Sequence, residues 1–306
     1  MLLLSSCIMR CIIVLLDLVY LSYSLSIIYY DEELARMTFD HAAAVYSENP
    51  KKCLRKYNQT KLLRFGKVPC DYMYNKCYYL ISEVNERIFI SFRGTTSRMQ
   101  LINEILETMS IPKAKFDAGG SVQHYFLTAF NSIWGKISKF TLKLFKVYPS
   151  RIFIFTGHSL GGAIASLAST QFAYQLYNYN VQVLLITYGQ PRTGNYKFAT
   201  AHDRLVPNSF RLVHRNDLVP HLPYCIERLT NRSCTPFYNY GPYHHGIEVW
   251  YPGHMDNQSF YKICDKWPLN EDDTCSAYLH YRIEDHLYYF EKYVSAYGEH
   301  GCTSNE

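Results

Sequence analysis

The sequence predicts an α/β domain built on a mostly parallel central sheet flanked by helices. Three observations predict it. Short runs of branched and aromatic residues alternate with longer stretches of helical period. Two of those runs, residues 87–92 (RIFISF) and 151–156 (RIFIFT), are apolar nearly throughout, as strands covered on both faces must be. The second run passes through a glycine-flanked turn into a helix of small residues, the strand-to-helix step from which such sheets are made.

Each element has its own reason. Residues 1–26 read as a signal peptide: Arg10 ends a short n-region, an apolar run follows from Cys11 to about Leu25, and Ser22, Ser24 and Ser26 offer small-residue cleavage choices. A spanning anchor is the poorer reading, since Asp17 inside the run would cost about 2.5–3.5 kcal/mol at the centre of a bilayer. Residues 31–46 predict a helix, with acids at its start and an alanine run inside. Strand 87–92 ends in Arg93-Gly94-Thr95. Residues 121–147 have helical periodicity and stop before Pro149. Strand 151–156 leads into a helix over 160–177, and residues 181–188 and 210–214 supply two more strands. Residues 27–306 contain no repeat, low-complexity tract or Pro/Gly/Ser linker, so they are read as one domain.

Composition narrows the function classes. Hydrophobic residues make up 48% and charged residues 19%, enough for a sizeable core. A formal net charge of +5 is too mild to point to nucleic acid. The one basic cluster, Lys51, Lys52, Arg55, Lys56, Lys61, Arg64 and Lys67, reads as a solvated face before it reads as an anionic-lipid contact. Ten cysteines, less Cys7 and Cys11 of the leader, leave eight, an even number that suits an oxidising compartment. Cys70 and Cys77, Cys225 and Cys234, and Cys264 and Cys275 are close in sequence, with Cys53 and Cys302 at the two ends; proximity alone leaves the pairing open. Sequons at Asn58, Asn231 and Asn257 fit a secreted glycoprotein. No cysteine or histidine spacing calls for zinc, and the chemistry predicted below needs neither metal nor cofactor.

The chemical signal is Gly157-His158-Ser159-Leu160-Gly161, a G-x-S-x-G turn between a strand and a small-residue helix. The α/β-hydrolase type of architecture places a nucleophilic serine at such a corner, exposed above the sheet at a helix N-terminus that favours developing negative charge. Serine then needs a base oriented by an acid, in the chain order Ser, Asp or Glu, His. Asp217 lies just beyond strand 210–214 and is the acid read here, with Asp203 as its rival. His221, His244, His245, His254, His280 and His286 all follow; His286, beside the last helix, is the leading choice among alternatives that the residues leave open. The oxyanion needs two amides, read as Leu160 after the nucleophile and Thr95 on the Phe92–Thr95 loop.

Together FRGT (92–95), GHSLGGA (157–163), YGQPRTGN (188–195), RNDLVPHLP (215–223) and DHLYYF (285–290) resemble the class 3, fungal-type triacylglycerol lipase family, from about Asp31 to Cys302. The resemblance implies Ser159, Asp217 and His286 as the catalytic triad and Thr95 and Leu160 as oxyanion donors. It implies disulfides Cys53–Cys302, Cys70–Cys77 and Cys264–Cys275, with Cys225–Cys234 as an addition. It also implies a helical lid over residues 97–109, where Leu101, Ile102, Ile105, Leu106 and Met109 recur at helical spacing after Ser97. The lid tryptophan frequent in the family is absent, and Tyr125 stands where the family often has glycine. The function expected is secreted hydrolysis of lipid esters at a lipid–water interface, with peripheral lipid contact and no obligate protein partner. A phospholipase A1, a feruloyl or acetyl esterase, and a catalytically silent lipid-binding protein are the alternatives.

Overall fold

A computed structural model describes residues 29–70, 76–94, 113–228, 234–236, 240–266, 270–277 and 280–303. The expected leader (1–26), Thr95, the lid residues Ser97, Leu101, Ile102, Ile105, Leu106 and Met109, and Asn231 lie outside the described residues. Strands Lys61–Pro69 (β1), Lys76–Val84 (β2), Arg87–Phe92 (β3), Ile152–His158 (β4), Gln182–Tyr188 (β5), Asn208–His214 (β6), Ile247–Tyr251 (β7) and Lys262–Cys264 (β8) lie side by side in chain order. β3 to β7 are parallel, while β1, β2 and β8 close the two edges antiparallel.

Parallel neighbours require crossovers, and helices supply them. His124–Val147 (α2, following α1 at Glu32–Ala44) joins β3 to β4, Leu160–Gln175 (α3) joins β4 to β5, and Tyr196–Leu205 (α4) joins β5 to β6. α1 starts where the Asp31 carboxylate accepts from the Leu34 amide at 3.0 Å. α2 buries Phe126, Phe130, Ile133, Ile137 and Leu144, one face at helical spacing. α3 is buried from Leu160 through Ala173, and its small residues let it sit close to the sheet. Phe172 of α3 packs on Phe153 and Phe155 at 4.9 and 5.6 Å between ring centres. Cutting Phe172, which has no exposed surface, to alanine would cost about 3–5 kcal/mol.

Four strands beyond the expected set complete the sheet. β1 escaped notice because it is half-exposed and carries Lys61, Arg64 and Lys67, so it shows no apolar run. The helix expected from residue 121 begins at His124, since Ser121–Val122 pairs with Ala114–Lys115 and Gly194 in a small second sheet. Tyr125 sits in the first turn of α2 against Phe126. The basic cluster is partly neutralised from elsewhere in the chain: Lys56 bonds Asp40 at 2.7 Å, and Lys67 lies 3.7 Å from Glu48. Disulfides join Cys53–Cys302, Cys70–Cys77, Cys225–Cys234 and Cys264–Cys275.

Candidate active site

β4 ends at His158 and α3 begins at Leu160, which leaves Ser159 alone to turn the chain. Its φ of 60° and ψ of −128° are costly for a residue with a side chain, on the order of 1–3 kcal/mol. The corner is held by the Ser159 amide donating to the Tyr188 carbonyl at 2.9 Å and by the Ser159 carbonyl accepting from the Gly162 amide at 2.9 Å. It also needs its glycines. A Cβ on Gly157 would lie 2.3 Å from the Gly161 carbonyl carbon, and one on Gly161 would lie 2.2 Å from the Phe92 carbonyl oxygen. The loop after β3 runs directly over the corner, since a Cβ on Gly94 would lie 3.2 Å from Ser159 Cβ. Leu160 opens α3, where an amide has no acceptor within the helix.

The other two expected residues meet. His286, in the short helix Ile283–Leu287, donates from Nδ1 to Asp217, with distances of 3.0 and 2.9 Å to Oδ1 and Oδ2. Both side chains are fully buried. Asp217 also accepts from the Val219 amide at 2.9 Å and the Tyr289 hydroxyl at 2.6 Å. The two loops are joined by backbone bonds from Arg282 to Asn216 and from Leu218 to Arg282. Burial, and then the Asp217 charge, push the Tyr289 phenol well above its ordinary range, so it stays a donor. Because Nδ1 faces a carboxylate, it carries the proton and Nε2 is left as an acceptor.

Ser159 and His286 converge on the end of β5. The Ser159 amide is bonded to Tyr188, and the next residue, Gly189 (φ 57°), lies under the His286–Asp217 pair. A Cβ there would come within 2.6 Å of His286 Nδ1 and 2.7 Å of Asp217 Oδ2. His158 also stacks on the His286 ring at 4.5 Å. Ser159 Oγ and His286 Nε2 are each buried with no hydrogen-bond partner among the described residues.

Asp203 does not join this group. It lies inside α4, and its carboxylate accepts from the Gly246 amide at 2.8 Å and Asn270 Nδ2 at 2.6 Å. Burial raises its carboxyl above the usual carboxylate range. His221 pairs with Ser276, His244 with the Pro220 carbonyl, and His245 with Ser166. His254 lies on the surface beside Arg215 and Glu291, and His280 is exposed. Ligand atoms of His202, Asp203 and His245 lie within 4.8 Å of one another, a proximity that the His244–His245 spacing did not reveal. Those of His202 are taken up by Thr170 and Ser209, and Arg211 donates to the His245 carbonyl. Gly189, Tyr289 and His158 stand within YGQPRTGN, DHLYYF and GHSLGGA, but nothing local to those motifs shows which side chain each one touches.

The chain matches the family model for Lipase (class 3) over residues 89–227. It is 35% identical over 297 residues to a lipase of Caenorhabditis elegans, spanning 89% of this chain and 83% of that protein. A lipase of Rhizopus oryzae is 30% identical over 215 residues, which are 70% of this chain and 50% of the relative; the chain thus spans about half the length of that relative. A secreted mono- and diacylglycerol lipase of Fusarium solani is 26% identical over 192 residues, 61% of this chain and 52% of its own length. Among solved structures, a lipase from Rhizopus microsporus var. chinensis superposes with a TM-score of 0.69 at 25% identity, covering 87% of this chain and 90% of that one. Identity of this extent, on the fold and motifs described, places the chain in the class 3 lipase family.

Proposed function

We propose that this chain is a secreted esterase that cleaves the carboxylic esters of lipids, triacylglycerols first among them, through an acyl-enzyme on Ser159. The observation that carries the reading is the convergence of a strained serine and a buried His286–Asp217 pair on Tyr188 and Gly189. In the proposed reaction, His286 Nε2 takes the Ser159 hydroxyl proton as Oγ attacks the ester carbonyl. Asp217 stabilises the imidazolium, and the displaced electron pair moves onto the carbonyl oxygen beside the Leu160 and Thr95 amides. Collapse breaks the ester bond, and His286 returns its proton to the departing alcohol. Water, deprotonated by the same nitrogen, then releases the fatty acid and restores Ser159.

Lipid rather than soluble substrate is supported by the family and by the apolar residues that recur at helical spacing in the sequence of 97–109, read as a lid. Partial glycerides are supported by the Fusarium relative. Secretion is supported by the leader sequence, the four disulfides and the exposed sequon residues Asn58 and Asn257. The test is a substrate panel on secreted protein: emulsified triacylglycerol, diacylglycerol, phosphatidylcholine and a soluble butyrate ester, with Ser159→Ala as control. Release of fatty acid fastest from the acylglycerol emulsions, and lost in the variant, is expected. A preference for phosphatidylcholine or for the soluble ester would replace triacylglycerol as substrate.

A further inference from the structure

His158 is buried beside the nucleophile and takes no part in the proton transfers above, yet every polar atom of its ring is engaged. Nε2 lies 2.8 Å from the carbonyl oxygen of His286, and Nδ1 lies 3.2 Å from the Tyr46 hydroxyl. The His286 carbonyl can only accept, so Nε2 must carry the proton and Nδ1 must accept from the Tyr46 O–H. The result is a bond chain of fixed direction, from Tyr46 O–H to His158 Nδ1 and from His158 Nε2–H to the His286 carbonyl. It links the segment just after α1, the residue before Ser159 and the proposed base.

We infer that His158 and Tyr46 are positioning residues for the proposed reaction, holding His286 by its backbone carbonyl and by one face of its ring. The inference rests on the reading of Ser159, His286 and Asp217 as the reacting set. His286 is then held at three points: Asp217, itself buttressed by Tyr289, grips Nδ1, His158 Nε2–H binds the carbonyl, and the His158 ring covers one face. Packing leaves no slack, since a Cβ on Gly94 would lie 2.4 Å from the His158 carbonyl and 2.7 Å from the Tyr46 hydroxyl. Burial, with the neighbouring His286 adding to it, pulls the His158 imidazole down to about 3. A neutral ring therefore lies beneath His286 when the latter becomes an imidazolium, and no second cation opposes the charge.

Three variants test this on a soluble short-chain ester, with active sites titrated by a phosphonate ester so that kcat is counted per competent molecule. His158→Phe keeps a ring but loses both bonds; His158→Gln restores a donor toward the His286 carbonyl and an acceptor toward Tyr46; Tyr46→Phe removes one hydroxyl. We expect His158→Phe to lower kcat per titrated site about 10–100-fold, the scale of a displaced catalytic group, with KM changed less than about two-fold. His158→Gln should recover most of that loss, and Tyr46→Phe should fall between the two. Equal kcat in the Phe and Gln variants of His158, or wild-type kcat per site in all three, overturns the inference. Should His158→Phe fail to fold, Tyr46→Phe decides alone: wild-type kcat per site contradicts the proposal and a loss supports it. Failure of the underlying reading shows separately, as turnover retained by Ser159→Ala.

Discussion

Two buried clusters in this protein hold the same kinds of side chain. At the end of β6, Asp217, His286 and Tyr289 gather near Ser159; beneath α4, Asp203, His202 and His245 gather near Ser166, Thr170 and Ser209. The second cluster even contains a formed serine–histidine bond, Ser166 Oγ to His245 Nε2 at 2.7 Å. Its carboxylate, however, is committed to the Gly246 amide and Asn270, with no imidazole on it. Ser166 lies in the middle of α3, and its carbonyl is engaged by the Ser169 and Thr170 hydroxyls. Ser159 instead stands at a strained corner in front of a helix N-terminus, with its Oγ unpartnered among the described residues. Residue type does not separate the clusters. What separates them is place in the fold and whether the carboxylate reaches the ring.

The sharpest break between them is expected at the two serines. Ser159→Ala should lower turnover by about five to six orders of magnitude and abolish fluorophosphonate labelling. Ser166→Ala should leave turnover per active site within about two-fold while costing about 1–2 kcal/mol in a denaturant titration, because it takes a partner from a buried imidazole. Next come the two acids. Asp217→Asn should cut kcat by about four orders of magnitude through the wrong imidazole tautomer, whereas Asp203→Asn should leave kcat unchanged. Near-normal turnover in Asp217→Asn with loss in Asp203→Asn would reverse the assignment. Tyr289→Phe, which takes one donor from Asp217, should lower kcat about 3–10-fold.

The smallest effect concerns pH. Burial pulls His202 down to about 3 and His41 down to about 4. Each is neutral in the folded state but takes up a proton in the unfolded state below an ordinary histidine value near 6.5. The unfolded state therefore binds more protons between those values and pH 6.5, so stability falls as pH drops through that window and is flat above it. Each such histidine contributes at most about 1.4 kcal/mol per pH unit. Thermal unfolding at pH 7.5, 6.0 and 4.5 measures this, and His202→Gln should flatten the slope; a midpoint independent of pH from 7.5 to 4.5 would count against neutral buried histidines.

How much was legible in the sequence follows from how local each constraint is. The corner at Ser159 was legible because Gly157 and Gly161 are needed within a few residues of it, where another side chain would strike the backbone. The choice between Asp217 and Asp203 was harder, since both are close to β6 and only the direction of the strand separates them. His286 led the histidines by its place beside the last helix, but only the family resemblance set it apart from the alternatives, because its bond to Asp217 spans 69 residues. Tyr289 and Gly189 were visible as motif letters without roles for the same reason: each acts on a partner far along the chain. The edge strands were hidden by their exposure, and the second cluster by the distance between its parts.

The central claim is that Ser159, and not the hydrogen-bonded Ser166, is the nucleophile. The direct measurement is to react the purified protein with a fluorophosphonate at neutral pH and sequence the labelled peptide by tandem mass spectrometry. The account predicts a single phosphonyl adduct on Ser159, formed more slowly but to completion in His158→Phe and absent in Ser159→Ala. An adduct on Ser166, or labelling of Ser159→Ala at the wild-type level, would contradict it.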